Sequence, residues 1–269
     1  MRNALLFLLL LTGCDGCDPE PVDSEPGDSP TETDAPVDTG DSVPPVELAS
    51  VSELEAVENG EVATILELAW TQDEDADEAW VEYRFDGQDW WSTPSQDGAA
   101  GEHSQVLLGI PAEMDVEIRV ANAGDPVLYS EPLTATTGAL PGPLLEPLLI
   151  AYDPTIASEH PWVMGSVDVG SSWYNGPCYS IVLDRQGRVV WYHLVSDSRL
   201  NLFTQVAADG SHILVDGSTN YVWDDTVQPS VERMTLDKRW TEDIELRPMG
   251  FSFDEIEGGV LLYEKDGYN

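Results

Sequence analysis

The sequence predicts an all-β protein, a two-sheet sandwich followed by the start of a repeated-sheet, propeller-like region. Three observations predict it. Apolar and polar residues alternate in short runs, as in Val62-Ala-Thr-Ile-Leu-Glu-Leu-Ala-Trp70 and Ala79-Trp-Val-Glu-Tyr-Arg-Phe85, the period of a strand with one buried face. Turn-forming stretches such as Asp86-Gly87 and Gln96-Asp-Gly-Ala-Ala-Gly101 separate the runs. In the C-terminal half, strand, Asp/Gly turn and strand recur at intervals of some tens of residues, the rhythm of stacked sheets.

The bulk composition bounds what such a chain does. Its 269 residues are 42% hydrophobic and include nine tryptophans, enough to bury the core of one large or two modest domains. Fifty-one acidic against 11 basic residues give a net charge of −40, which repels phosphate backbones and excludes nucleic acid as a partner. No Lys or Arg stands between Arg2 and Arg84, so the acidic excess belongs mainly to the first half. Three cysteines, Cys14, Cys17 and Cys178, are too few for a disulfide framework.

The first residues read as an address. Arg2 precedes the run Ala4-Leu-Leu-Phe-Leu-Leu-Leu-Leu11, far short of the roughly 20 apolar residues of a spanning helix and suited to a signal h-region. Leu11-Thr12-Gly13-Cys14 resembles the bacterial lipobox, which implies cleavage before Cys14 and acylation of its thiol. Residues 1–13 are then a signal peptide, and the membrane is a partner through lipidated Cys14. The expected location is outside the inner membrane, at the periplasmic face or the cell surface, and Cys17 and Cys178 remain to pair or to stay as thiols. From 14 to 46 the chain is Asp, Glu, Pro, Thr, Ser and Gly with few large apolar residues. Such a segment buries too little to offset its chain entropy and acts as an extended acidic tether.

Residues 47–138 carry the sandwich signals. Beyond the two runs already quoted come His103-Ser-Gln-Val-Leu-Leu-Gly-Ile110, Val116-Glu-Ile-Arg-Val-Ala121 and Pro126-Val-Leu-Tyr-Ser-Glu-Pro-Leu-Thr-Ala-Thr136, about seven strands in about ninety residues. Trp70, Gly109-Ile-Pro111 before Val116, and Tyr129-Ser-Glu-Pro-Leu-Thr-Ala-Thr136 resemble a fibronectin type III domain, with Val116 where that family usually has Tyr. The acidic run Asp73-Glu-Asp-Ala-Asp-Glu78 lies between two predicted strands. Asp73, Asp75 and Asp77 are its calcium candidates if the loop curls back on itself, against the reading of a solvated loop. Trp90 and Trp91, being adjacent, face opposite sides of a strand.

Residues 147–269 repeat the strand signal at Tyr179–Leu183, Arg188–Tyr192, Ser211–Val215, Tyr221–Trp223, Val231–Leu236 and Val260–Tyr263, with turns at Asp184-Arg-Gln-Gly187, Ala208-Asp-Gly210 and Glu257-Gly-Gly259. The segments Ile181-Val-Leu-Asp-Arg-Gln-Gly-Arg-Val-Val-Trp-Tyr192, Ala208-Asp-Gly-Ser-His-Ile-Leu214 and Val231-Glu-Arg-Met-Thr-Leu-Asp237 resemble the arylsulfotransferase family of extracytoplasmic β-propellers. The resemblance implies sulfuryl transfer between aryl sulfates and phenols through a histidine adduct, with Arg holding the sulfuryl oxygens. Gly250 and Phe251 stand where that family has histidines, and Phe253 matches its phenylalanine. His193 and His212 are the remaining nucleophile candidates in the repeats. The repeats supply about two of the four or more blades that closure needs, so the chain is expected to be part of a longer protein. No phosphate loop, Ser/His/Asp arrangement or further metal-ligand spacing occurs, and no cofactor is expected. Two functions follow: an arylsulfotransferase-like enzyme acting on an aryl sulfate, or a non-catalytic surface protein holding a surface ligand.

Overall fold

The computed structural model describes residues 48–144, 160–169, 177–196, 204–216, 230–245, 253–256 and 259–262. The signal segment, Cys14, Cys17 and the tether lie outside the described residues, as do the Tyr221–Trp223 segment and the Glu257-Gly258 turn. Every regular element among the described residues is a β-strand. None of them forms a helix long and apolar enough to cross a membrane. The described residues belong to one compact unit.

The first nine strands are β1 (Val51–Glu58), β2 (Leu66–Gln72), β3 (Ala76–Arg84), β4 (Trp91–Ser92), β5 (Gln96–Gly98), β6 (Gly101–Leu107), β7 (Asp115–Asn122), β8 (Leu128–Tyr129) and β9 (Leu133–Thr136). One sheet has the order β1-β2-β6; the other runs β4-β3-β7-β8, with β5 also on β3 and β9 on β7. Alternation decides what each sheet turns inward. Leu66, Leu68 and Trp70 of β2 meet Val81 and Tyr83 of β3 and Val116, Ile118 and Val120 of β7 in one core. The Asp86-Gly87 pair makes the expected tight turn, both residues at positive φ (54° and 66°) and Gln88 N–H donating to the Phe85 carbonyl at 3.0 Å, as a twisted hairpin demands.

The adjacent tryptophans part as alternation requires. Trp91 packs inward near Tyr83 and Phe85, at ring distances of 6.2 and 6.4 Å. Trp90 belongs to the other face, where Arg84 and Arg119 lie 4.5 and 4.1 Å from its ring centre. Arg119 also covers the Tyr129 ring at 3.8 Å and pairs with Glu82 at 2.6 Å, while Arg84 pairs with Glu117 at 2.7 Å. The only two Lys or Arg residues of the sandwich are thus cross-strand partners of glutamates, since Glu82 stands opposite Arg119 and Arg84 opposite Glu117,.

The remaining strands are β10 (Val163–Asp168), β11 (Cys178–Leu183), β12 (Val189–Ser196), β13 (Thr204–Val206), β14 (Ile213–Asp216), β15 (Ser230–Met234), β16 (Thr241–Glu245), β17 (Phe253–Ile256) and β18 (Gly259–Leu262). They form antiparallel sheets in the orders β10-β11-β12, β13-β14-β15-β16 and β17-β18. Aspartate builds the turns between them. Asp184 Oδ1 accepts the N–H groups of Gln186 and Arg188 at 2.9 Å, Asp209 Oδ1 that of Ser211 at 3.0 Å, and Asp237 Oδ1 that of Arg239 at 3.1 Å. A carboxylate that caps its own turn two residues on is why Asp recurs at these positions. Cys178 is buried at the start of β11.

The segment between β1 and β2 joins the two halves. Val62, Ala63 and Ile65 enter the same core as Val167, Tyr179, Ile181, Val189, Trp191 and Tyr192. Ala63 N–H donates to the Tyr192 hydroxyl, and the Thr64 hydroxyl donates to the Val190 carbonyl, each at 2.9 Å. Trp162 lies 5.5 Å from Trp91, and its ring covers Gly109. Gly109 has φ +80°, and a Cβ there would sit 2.6 Å from the Trp162 ring. Gly109→Ala is therefore expected to cost about 1–3 kcal/mol in backbone strain and overpacking. Denaturant titration with tryptophan emission as readout should show that loss together with a displaced Trp162.

Burial also sets an alkaline limit. The Tyr83 phenol donates to the Leu108 carbonyl at 3.1 Å, and desolvation by burial raises its pKa to about 12. Above the ordinary phenol value near 10, the unfolded chain loses this proton while the folded chain retains it. Stability is consequently expected to fall as pH rises from about 10 to 12, and Tyr83→Phe should flatten that part of the stability profile. An unchanged slope in Tyr83→Phe would contradict the assignment.

Candidate functional site

The two candidate histidines sit where sheets meet face to face. In β11 and β12, Ser180 opposes His193, Val182 opposes Trp191, and Ile181 opposes Tyr192. Opposed residues share a face. Tyr192 therefore faces the sandwich, while Trp191, His193 and Ser180 face the β13–β16 sheet. There Val215 opposes Glu232 and Ile213 opposes Met234, which presents Ile213, Val215, Met234 and Glu232 together.

His193 lies within β12 and is 6% exposed. Its Nε2 is 2.9 Å from Glu232 Oε2, and its ring stacks on Trp191 at 6.3 Å and 25°. Its Nδ1 is buried without a hydrogen-bond partner among the described residues. Trp191 Nε1 donates to the Leu236 carbonyl at 2.7 Å, and the Ser180 and Thr204 hydroxyls meet at 2.7 Å. His212, just before β14, has the same relation to the next sheet. Its Nε2 is 2.9 Å from Glu255 Oε1 of β17, its Nδ1 is 2.8 Å from the Ser211 hydroxyl, and its ring meets the edge of Trp240 at 5.6 Å. Arg233 joins the same carboxylate at 3.1 Å and Glu242 at 3.3 Å.

Each pair has the form of an oriented imidazole, one nitrogen fixed by a carboxylate. A nucleophile needs its second nitrogen turned toward a reactant. The His193 Nδ1 is buried, and the His212 Nδ1 is taken by Ser211. Each pair also ties one sheet to the next. A groove of about 270 Å³ runs between β1 and the β8–β9 edge, lined in part by Leu48, Val51, Leu54, Pro132 and Leu133, and neither histidine lines it.

A second polar cluster holds hairpin tips against the sandwich. Arg188 reaches Asp184 at 2.7 Å and also pairs with Asp86 of the β3–β4 turn. Partial burial pulls its pKa down, but the two carboxylates outweigh this and hold it above the ordinary value. Arg239 pairs with Glu67 at 3.1 Å, and Asn59 Nδ2 donates to Glu67 Oε1 at 2.6 Å and to the Asp237 carbonyl at 3.3 Å. Burial lowers the Lys238 pKa against the attraction of Glu61 and Glu232. Cations of the basic half thus meet carboxylates of the acidic half.

The other candidates are placed as follows. Asp73 accepts the Ser52 hydroxyl at 2.7 Å, Asp75 accepts Ala100 N–H at 2.8 Å, and Asp77 is exposed in β3. Among the described residues no group of three or more His, Cys, Asp or Glu side chains is arranged to hold a metal ion. Gly250 and Phe251 lie outside the described residues, and Phe253 begins β17. Sequence reasoning missed Glu232 and Glu255, which stand 39 and 43 residues from their histidines. The available signal was a glutamate at a core-facing position, two residues before Met234.

Two antiparallel sheets in the orders β1-β2-β6 and β4-β3-β7-β8, facing each other over one core, define an all-β protein with a two-sheet sandwich. No protein-family model matches the chain, and no curated protein does. Among solved structures it is similar to a two fibronectin type-III domain segment from chicken tenascin, with 13% sequence identity and a TM-score of 0.28, over 79% of this chain and 99% of that one.

Proposed function

We propose that this protein is a lipid-anchored extracytoplasmic binding module. Cys14 fixes it to the membrane, the acidic tether spaces it from the surface, and the joined sandwich and sheets present a ligand-holding body. The observation that carries the non-catalytic half of this reading is that the second ring nitrogen of each histidine is withheld from a reactant, His193 Nδ1 by burial and His212 Nδ1 by the Ser211 hydroxyl. The reading assigns them to packing rather than to sulfuryl transfer. The test is turnover of a nitrophenyl sulfate donor with phenol as acceptor, using the full chain, His193→Ala and His212→Ala. No turnover by any of the three is expected. Turnover by the full chain that is lost in either variant would contradict the proposal.

A second reading has one observation in its favour. Three antiparallel sheets stack in sequence order, with Ser180, Trp191 and His193 on one side of the four-stranded sheet and Glu255 on the other. Such a stack supports a relative of the arylsulfotransferase propellers at the level of architecture. Activity in that case would use residues other than these two histidines, and turnover that survives both substitutions would favour it.

A further inference from the structure

We propose that Asn59 is a self-modifying residue: its deamidation is held back by the joint between the sandwich and the β15–β16 hairpin, and once it occurs it keeps that joint from re-forming.

The argument begins with the Asn59-Gly60 pair, which places an unhindered backbone nitrogen next to a side-chain carboxamide. Neither conformation nor packing accounts for the glycine. Gly60 does not have a positive φ, and a Cβ built on it meets nothing within 4 Å. Asn59 is 5% exposed, and its carboxamide is fully engaged. Oδ1 accepts the N–H groups of Glu61 and Val62, both at 2.9 Å. Nδ2 donates to Glu67 Oε1 at 2.6 Å and, across the joint, to the Asp237 carbonyl at 3.3 Å. Held in this way, Cγ is not available to the Gly60 nitrogen.

The two Nδ2 bonds depend on the β15–β16 tip, one at the Asp237 carbonyl and one through Glu67, which Arg239 also holds, while the Oδ1 bonds lie within the β1–β2 segment. Arg239 reaches Glu67 with 51% and 31% of the two side chains exposed, and exposed ion pairs contribute little. Past Leu236, whose carbonyl Trp191 holds, residues 237–240 are therefore able to open locally before global unfolding,. In the open state the Gly60 nitrogen gives up its proton and forms a bond to Asn59 Cγ. The Cγ–Nδ2 bond breaks, and the side-chain nitrogen leaves as ammonia carrying that proton. The resulting five-membered succinimide takes up one water and opens to aspartate or isoaspartate. Water is the only co-reactant, and nothing is oxidised or reduced.

The product does not fit the joint. A carboxylate oxygen now stands where Nδ2 donated, against the Glu67 carboxylate and the Asp237 carbonyl, so two hydrogen bonds become two repulsive contacts. Isoaspartate also lengthens the main chain just before Val62, Ala63 and Ile65, which belong to the core joining the two halves. The reaction records that the tip has opened, and it runs one way.

The test incubates the full-length protein at neutral pH and follows the peptide containing Asn59 by mass and by isoaspartate content. Arg239→Ala should react about twofold to fivefold faster than wild type, in line with the loss of a partly exposed pair, and Gly60→Ala should react several-fold more slowly. Equal rates in wild type and Arg239→Ala would overturn the gating. A Gly60→Ala rate equal to wild type would overturn the chemistry. Asn59→Asp supplies the product directly: amide exchange over residues 235–240 should quicken, and unchanged protection there would overturn the claim that the joint stays open.

Discussion

Trp191→Ala is expected to lower the unfolding free energy by about 3–5 kcal/mol, the range for emptying a buried tryptophan site. Trp191 is 3% exposed, belongs to the core shared by the two halves, stacks on His193 and donates to the Leu236 carbonyl. Its removal takes away packing area and leaves that carbonyl without its donor in one step. Against typical domain stabilities of about 5–15 kcal/mol, the change is large enough to unfold a marginal protein. The measurement is denaturant unfolding by circular dichroism. A loss below about 1 kcal/mol would mean that the β12 face does not pack as described.

Ile65→Ala should cost about 2–4 kcal/mol, and its location makes it informative. Ile65 is fully buried, yet it belongs to the segment between β1 and β2, and its core is the one that contains Tyr179, Ile181 and Trp191. The expected result is faster amide exchange in β10–β12 as well as in the sandwich, because one core serves both. Exchange that quickens in β1 and β2 alone would contradict the shared core.

The same residue shows what the sequence made legible. Alternation from Val62 to Trp70 predicts one strand, whereas β2 begins at Leu66. Val62, Ala63 and Ile65 are apolar because they dock on another sheet, and local periodicity cannot distinguish a pleat from a docking loop. Alternation does place β7 to within one residue at each end and finds β3 from Ala79 on, three residues after its start, since each has one face on the sandwich core. The run from Pro126 to Thr136 divides into β8 and β9 around Ser130-Glu131-Pro132, where proline removes a ladder donor. The Asp/Gly turns were readable because their chemistry is local. The histidine pairs were not, because local spacing marks Glu232 as core-facing without saying which residue of another sheet it meets.

The proposal that the body is displayed on a lipid anchor rests on Leu11-Thr12-Gly13-Cys14, and its most direct test is metabolic labelling of the expressed full chain with a palmitate analogue, alongside Cys14→Ser. The account predicts label and membrane recovery for the wild type and neither for Cys14→Ser. Unlabelled wild-type protein released in soluble form, or equal label in Cys14→Ser, would contradict it.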